Sequence, residues 1–101
     1  GREVSVDARF REANMGLFQG LTAEEIPVEH RAAYEAWRRD SVRNRPPNGE
    51  TLEDLRDRCM TALQQVLPRH PGQTVAVVAH GGPVRIMGCG LLDFPLELYP
   101  K

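Results

Sequence analysis

The sequence predicts an α/β protein, and three features carry that expectation. Residues 74–79, "TVAVVA", form an unbroken apolar run. Such a run fits a strand covered on both faces by helices better than one with a wet face. Residues 51–66 form an amphipathic helix, with Leu52, Leu55, Cys59, Ala62, Leu63 and Val66 recurring at intervals of three and four. A second helix is expected directly after the apolar run, in "PVRIMGCGLL", with Pro83 at its first position. Helix, strand and helix in that order are the ingredients of a parallel sheet flanked by helices.

The other elements follow in chain order. "EVSVD" (3–7) alternates and predicts a short edge strand. "ARFREANMGLFQGL" (8–21) mixes charges with turn formers and reads as a functional loop. Thr22 and Glu25 have the spacing of a capping box. Pro27 then fits the first turn of a helix running to about Val42. "RNRPPNGE" (43–50) is a loop, interrupted by two prolines and an Asn-Gly pair. Thr51 and Asp54 repeat the capping-box spacing at the start of the amphipathic helix. Pro68 and "HPGQ" end that helix, and the tail 93–101 is irregular.

Composition bounds the function. The 101 residues suffice for one small domain, residues 1–101. Thirteen basic and fourteen acidic side chains leave a formal net charge of −1, which gives no electrostatic case for binding nucleic acid or an anionic membrane. Apart from Lys101 the basic residues are all arginine, the side chain suited to bidentate recognition of phosphate and carboxylate. Cys59 and Cys89 lie in helix-like segments rather than in a disulfide framework, so a reducing cytoplasm is expected. No Cys/His ligand spacing suggests a metal, and His30 and His70 stand in polar, exposed-looking contexts. Neither a Gly-x-Gly-x-x-Gly turn nor a P-loop is present, so no nucleotide cofactor is expected. One strong strand and one weak one cannot cover both edges of a buried sheet. The chain is therefore expected to be part of a larger α/β domain, with strands before Gly1 and after Lys101. A second copy, in a homodimer, is the alternative source of neighbours.

Candidate site residues sit at two places. His80 stands at the exit of the apolar run, where open α/β sheets bind ligands. Gly81 and Gly82 let a ligand approach the backbone, and the following helix adds unpaired N–H groups and its positive dipole end. An imidazole there could be a nucleophile, a base or a cationic phosphate holder; equally, His80 could only cap the helix. Glu12, in the 8–21 loop, could protonate a leaving group, or be a solvated surface charge. Cys59 is expected in the core, Trp37 as a packing anchor, and Gly88 and Gly90 as close-packing positions on the sheet, each costing about 1 kcal/mol against Ala.

Three stretches together carry a resemblance. "FREANMGLFQGLT", "PPNGETLEDLRDR" and "VAVVAHGGPVRIM" resemble, in the correct order, segments of the histidine phosphatase, or phosphoglycerate mutase-like, superfamily. The resemblance implies a three-layer phosphoglycerate mutase-like fold with a mainly parallel sheet. It implies a phosphomonoesterase that works through a phosphohistidine, without metal, on small phosphorylated metabolites. Glu12 then corresponds to the proton donor and His80 to the second histidine, which holds the phosphoryl group. Gly81 would give it a backbone N–H. "WRRDSVRNRPP" is similar to a mutase segment in which arginines hold the substrate carboxylate. That makes Arg38 and Arg39 candidate substrate-binding residues, although a helix ending in two arginines is also a common solvated terminus. Two departures stand out: Phe18-Gln19-Gly20 replaces the usual Trp-Glu-Gly, and no Arg-His-Gly, the nucleophile motif, occurs in residues 1–101. Mutase activity and a non-catalytic phosphate-binding module remain as alternatives.

Overall fold

A computed structural model describes residues 4–96. Four α-helices follow one another: α1 (Ile26–Glu29), α2 (Arg31–Arg39), α3 (Leu52–Val66) and α4 (Gly81–Leu91). Single 3-10 turns cover Ala8–Phe10, Gly16–Phe18 and Leu67–Arg69.

Helix α3 forms where its capping box and apolar stripe place it. The Thr51 hydroxyl accepts the Asp54 N–H at 3.0 Å, and the Asp54 carboxylate accepts the Thr51 N–H at 3.1 Å. Two of the helix's orphan donors are thereby satisfied reciprocally. Leu55, Cys59 and Leu63, four residues apart, face Ile86 and Met87 of α4 in one buried cluster with Val42 and Leu96. Each fully buried aliphatic side chain there contributes on the order of 1.5–3 kcal/mol. Gly90 brings the two helices together: a Cβ on it would lie 2.7 Å from the Met60 sulfur. The close packing expected at this glycine is therefore made against α3 rather than a sheet, and a Cβ on Gly88 would meet nothing within 4 Å.

The helix expected from Pro27 to Val42 is broken and shorter. His30 leaves helical geometry at φ −133°, ψ 52°, dividing α1 from α2. Its ring packs on Phe18 at 5.8 Å between centroids, so this histidine is half-buried rather than exposed as expected. Trp37 and Tyr34 complete the cluster around the buried Phe18 ring, which makes Trp37 the expected packing anchor. Asp40 stops α2, because its carboxylate accepts the Val42 and Arg43 N–H groups at 3.2 and 3.3 Å. Such a local bond competes with continuation of the helix.

No strand forms among the described residues, a difference from the α/β expectation. Residues 74–79 are neither helix nor turn, and their backbone groups have no hydrogen-bond partner among the described residues. Burial alternates along them. Val75, Val77 and Ala79 are half-buried, with Val77 against the α3–α4 core, whereas Val78 is 94% exposed. The segment thus keeps the period-two habit of a strand but has one covered face where two were expected. The reason is that a ladder requires a second chain segment alongside. Residues 4–7 of the expected edge strand likewise form no strand ladder among the described residues, with Val4 and Val6 exposed; Glu3 and residues 97–101 of the tail lie outside the described residues.

Candidate functional site

The site is assembled where the 8–18 loop meets the first turn of α4. That helix begins at Gly81, two residues before the expected start, so Pro83 occupies its third position. The missing N–H of a proline costs nothing there, since first-turn donors have no intrahelical partner. His80 is the residue immediately before the helix, in extended geometry, and its side chain makes no capping hydrogen bond. His80 is thus the N-cap residue, its carbonyl accepting the Val84 N–H at 3.0 Å, while its side chain takes no part in the cap. His80 is exposed, and its imidazole has no hydrogen-bond partner among the described residues.

Glu12 comes to this helix start across 70 residues of sequence. Its Oε2 accepts the Gly82 N–H at 3.3 Å, and its Oε1 accepts the Ala13 N–H at 2.8 Å. Gly82 is the only residue type that fits this arrangement. A Cβ on it would lie 2.1 Å from Glu12 Oε1. At Gly81 a Cβ would meet nothing within 4 Å, and the Gly81 N–H has no acceptor among the described residues. One carboxylate, one free backbone donor and one exposed imidazole therefore share the positive end of α4. An anion with an ester oxygen to be protonated suits this grouping.

Arg58 and Glu50 hold the loop that carries Glu12. The Arg58 Nε and Nη2 donate to the two Glu50 carboxylate oxygens at 2.8 and 2.9 Å. Its Nη1 donates to the carbonyls of Arg9 and Arg11 at 2.7 and 2.8 Å, and its Nη2 to that of Glu12 at 2.9 Å. The pair is nearly buried, with side chains 14% and 15% exposed. Its hydrogen bonds to Arg58 hold the Glu50 carboxyl below the ordinary glutamate range, against the opposing effect of burial. Both residues lie in "PPNGETLEDLRDR", where Gly49-Glu50-Thr51 supports the phosphatase reading, but the sequence assigns no role to either side chain. Sequence spacing carries no signal for the pair, because Glu50 precedes the Thr51 cap and Arg58's other partners are backbone carbonyls.

The 47–50 turn fixes the other side of the loop. Asn48 adopts φ +62° and Gly16 φ +53°. A Cβ on Gly16 would sit 2.0 Å from the Pro47 carbonyl oxygen, so this crossing of two backbones requires glycine. Leu17 N–H donates to Pro47 O at 2.8 Å and Glu50 N–H to Asn14 O at 2.7 Å.

Arg38 and Arg39 are not brought to Glu12. They line a surface depression of α1 and α2 with Pro27, Val28, Arg31 and Tyr34, and neither Glu12 nor His80 borders it. The Arg38 guanidinium lies over the Tyr34 ring, 5.9 Å from its centroid. Among the described residues no group of three or more His, Cys, Asp or Glu could hold a metal ion, and no helix is long and apolar enough to cross a membrane.

Comparison with known proteins gives this geometry its context. Residues 1–101 match the histidine phosphatase superfamily, branch 1. The chain belongs to that superfamily. It is 41% identical over 85 residues to phosphoglycerate mutase-like protein 4 of Arabidopsis thaliana, covering 82% of this chain and 36% of that one. It is 32% identical over 107 aligned positions to glucosyl-3-phosphoglycerate phosphatase of Mycolicibacterium vanbaalenii, covering 99% of this chain and 47% of the relative. Among solved structures, YhfR of Bacillus stearothermophilus superposes with a TM-score of 0.81 at 30% identity, over 94% of this chain and 48% of that one. Native mycobacterial glucosyl-3-phosphoglycerate phosphatase gives 0.73 at 31% identity, over 89% and 46%. This histidine phosphatase chain thus spans less than half the length of each of these proteins, and the fold of the solved structures among them is α/β.

Proposed function

We propose that the protein is a phosphomonoesterase that works through a phosphohistidine on a small phosphorylated metabolite, and that this chain carries the acid and phosphoryl-holding half of the site. The observation that carries this reading is the Glu12 carboxylate seated on the Gly82 N–H, at the helix start that His80 precedes. Relatives named glucosyl-3-phosphoglycerate phosphatase and phosphoserine phosphatase support hydrolysis of a phosphate monoester.

In the first step a histidine nitrogen attacks phosphorus. The nitrogen–phosphorus bond forms, the bond to the ester oxygen breaks, and Glu12 gives that oxygen its proton, so the product leaves as an alcohol. In the second step the Glu12 carboxylate takes a proton from water as the water attacks phosphorus, and the nitrogen–phosphorus bond breaks to release inorganic phosphate. His80 and the Gly81 N–H hold the phosphoryl oxygens throughout. No Arg-His-Gly occurs in residues 1–101, so the proposed attack requires a histidine from outside them.

Phosphatase chemistry is favoured over mutase chemistry because Arg38 and Arg39, the candidates for holding a substrate carboxylate, border a depression apart from Glu12. The free thiols of buried Cys59 and half-buried Cys89 support a reducing compartment, the cytoplasm. The test is His80→Ala in the protein as its gene encodes it. Phosphate release from an aryl phosphate is expected to fall by at least about 100-fold, the scale of one electrostatic transition-state contact. Unchanged release would remove His80 from the site, and no release from the unaltered protein would leave the non-catalytic binding module as the reading.

A further inference from the structure

We propose that Glu50 and Arg58 are the positioning pair of the proton donor: they fix the backbone on both sides of Glu12 and so set where its carboxylate stands. This deepens the proposed function and rests on Glu12 being the acid. Five observations meet in one place. Arg58 has five N–H donors, and each has an acceptor: two on Glu50 and three on the carbonyls of Arg9, Arg11 and Glu12. Glu50 Oε1 also accepts the Asn14 N–H at 2.8 Å, two residues after Glu12. The Glu50 N–H donates to the Asn14 carbonyl at 2.7 Å. The loop residue between these anchors, Glu12, is itself exposed, with its side chain tied among the described residues only to the Gly82 and Ala13 N–H groups. Both partners are rooted in one rigid element, Arg58 on the buried flank of α3 and Glu50 beside the Thr51 cap.

An isolated loop glutamate would sample many rotamers. A carbonyl clamp at 9, 11 and 12 with an N–H clamp at 14 leaves only the side-chain torsions of Glu12 free, and Gly82 takes up those. Arginine is required, because a lysine ammonium has three donors and no planar fork to span a carboxylate and three carbonyls. All five donors of Arg58 are spent on Glu50 and on the loop backbone, so the pair acts through Glu12.

The experiment is a double-mutant cycle in the protein as its gene encodes it. kcat/KM is measured on a series of aryl phosphates whose leaving groups run from weakly to strongly basic phenols. Arg58→Lys is expected to lower kcat/KM at least tenfold more for the most basic leaving group than for the least basic. It is expected to lower kcat more than it raises KM. In a Glu12→Gln background the same change is expected to add less than threefold. If Glu12→Gln is graded across the series but Arg58→Lys is uniform, or multiplies fully with it, the positioning role is overturned while Glu12 stands as the acid. If Glu12→Gln itself is uniform, the acid assignment fails and the positioning role fails with it. A urea unfolding midpoint accompanies each variant. Should Arg58→Lys not fold, Glu50→Gln, which keeps all of Arg58's bonds to carbonyls, is run through the same cycle and read by the same criteria.

Discussion

Substituting Gly82 by alanine separates stability from catalysis at a single atom. The added Cβ would lie 2.1 Å from Glu12 Oε1 and 3.1 Å from the carboxyl carbon. That is over 1 Å inside a van der Waals separation of ~3.5 Å. The neighbour that yields is the tip of an exposed side chain, so the clash is relieved by swinging the Glu12 carboxylate away. What is lost is its bond to the Gly82 N–H, a net contribution of about 0.5–1.5 kcal/mol. Alanine in place of glycine in the first turn of α4 returns up to about 1 kcal/mol. The two nearly cancel, and thermal unfolding of Gly82→Ala is expected within a few degrees of the unaltered protein. Catalysis has no such compensation. Displacing the acid is expected to cost about 10²–10⁴-fold in kcat/KM for a poor leaving group, the usual contribution of general acid catalysis. The assay is phosphate release from phenyl phosphate beside differential scanning calorimetry. A Gly82→Ala protein that turns over phenyl phosphate within threefold of normal would refute the reasoning. So would a large loss of stability, since the helix rather than the carboxylate would then have moved.

Two further outcomes concern folding. Thr51→Ala removes the hydroxyl that accepts the Asp54 N–H and is expected to cost about 1 kcal/mol, read as a lower denaturation midpoint. Glu50→Gln tests the linkage of the buried pair to pH. The folded carboxyl titrates below its ordinary value of 4.5, so the folded state binds fewer protons than the unfolded chain as acid is added. Its contribution is complete above that value and fades as pH falls through the lowered folded one. The stability difference between the unaltered protein and Glu50→Gln, measured by urea titration, is expected to be large at pH 7 and to shrink in acid. A difference independent of pH would contradict the ion pair.

Local features were legible in the sequence and long-range ones were not. Helix α3 could be read because its cap and its apolar stripe lie within one segment. The Thr22–Glu25 box was equally readable, and both of its hydrogen bonds form, at 2.9 and 3.2 Å. The break at His30 was not, because it accompanies a ring contact with Phe18, twelve residues away. The apolar run 74–79 could be recognised, but a sheet depends on what lies beside it. At the site, the residue types at 12 and 80–82 carried the signal. The reason glycine at position 82 lets Glu12 reach the backbone did not, since it lies in a side chain 70 residues distant. Arg58 was equally hidden, because its three carbonyl partners are 46 to 49 residues away and backbone acceptors leave no mark in a sequence.

The central claim is that Glu12, held on the start of α4, is the proton donor of a phosphatase. The dependence of kcat/KM on leaving-group basicity in Glu12→Gln tests it most directly. The account predicts a loss of at least about 100-fold for phenyl phosphate that dwindles to a few-fold for dinitrophenyl phosphate, whose leaving group departs without a proton. An equal loss for both substrates would contradict it.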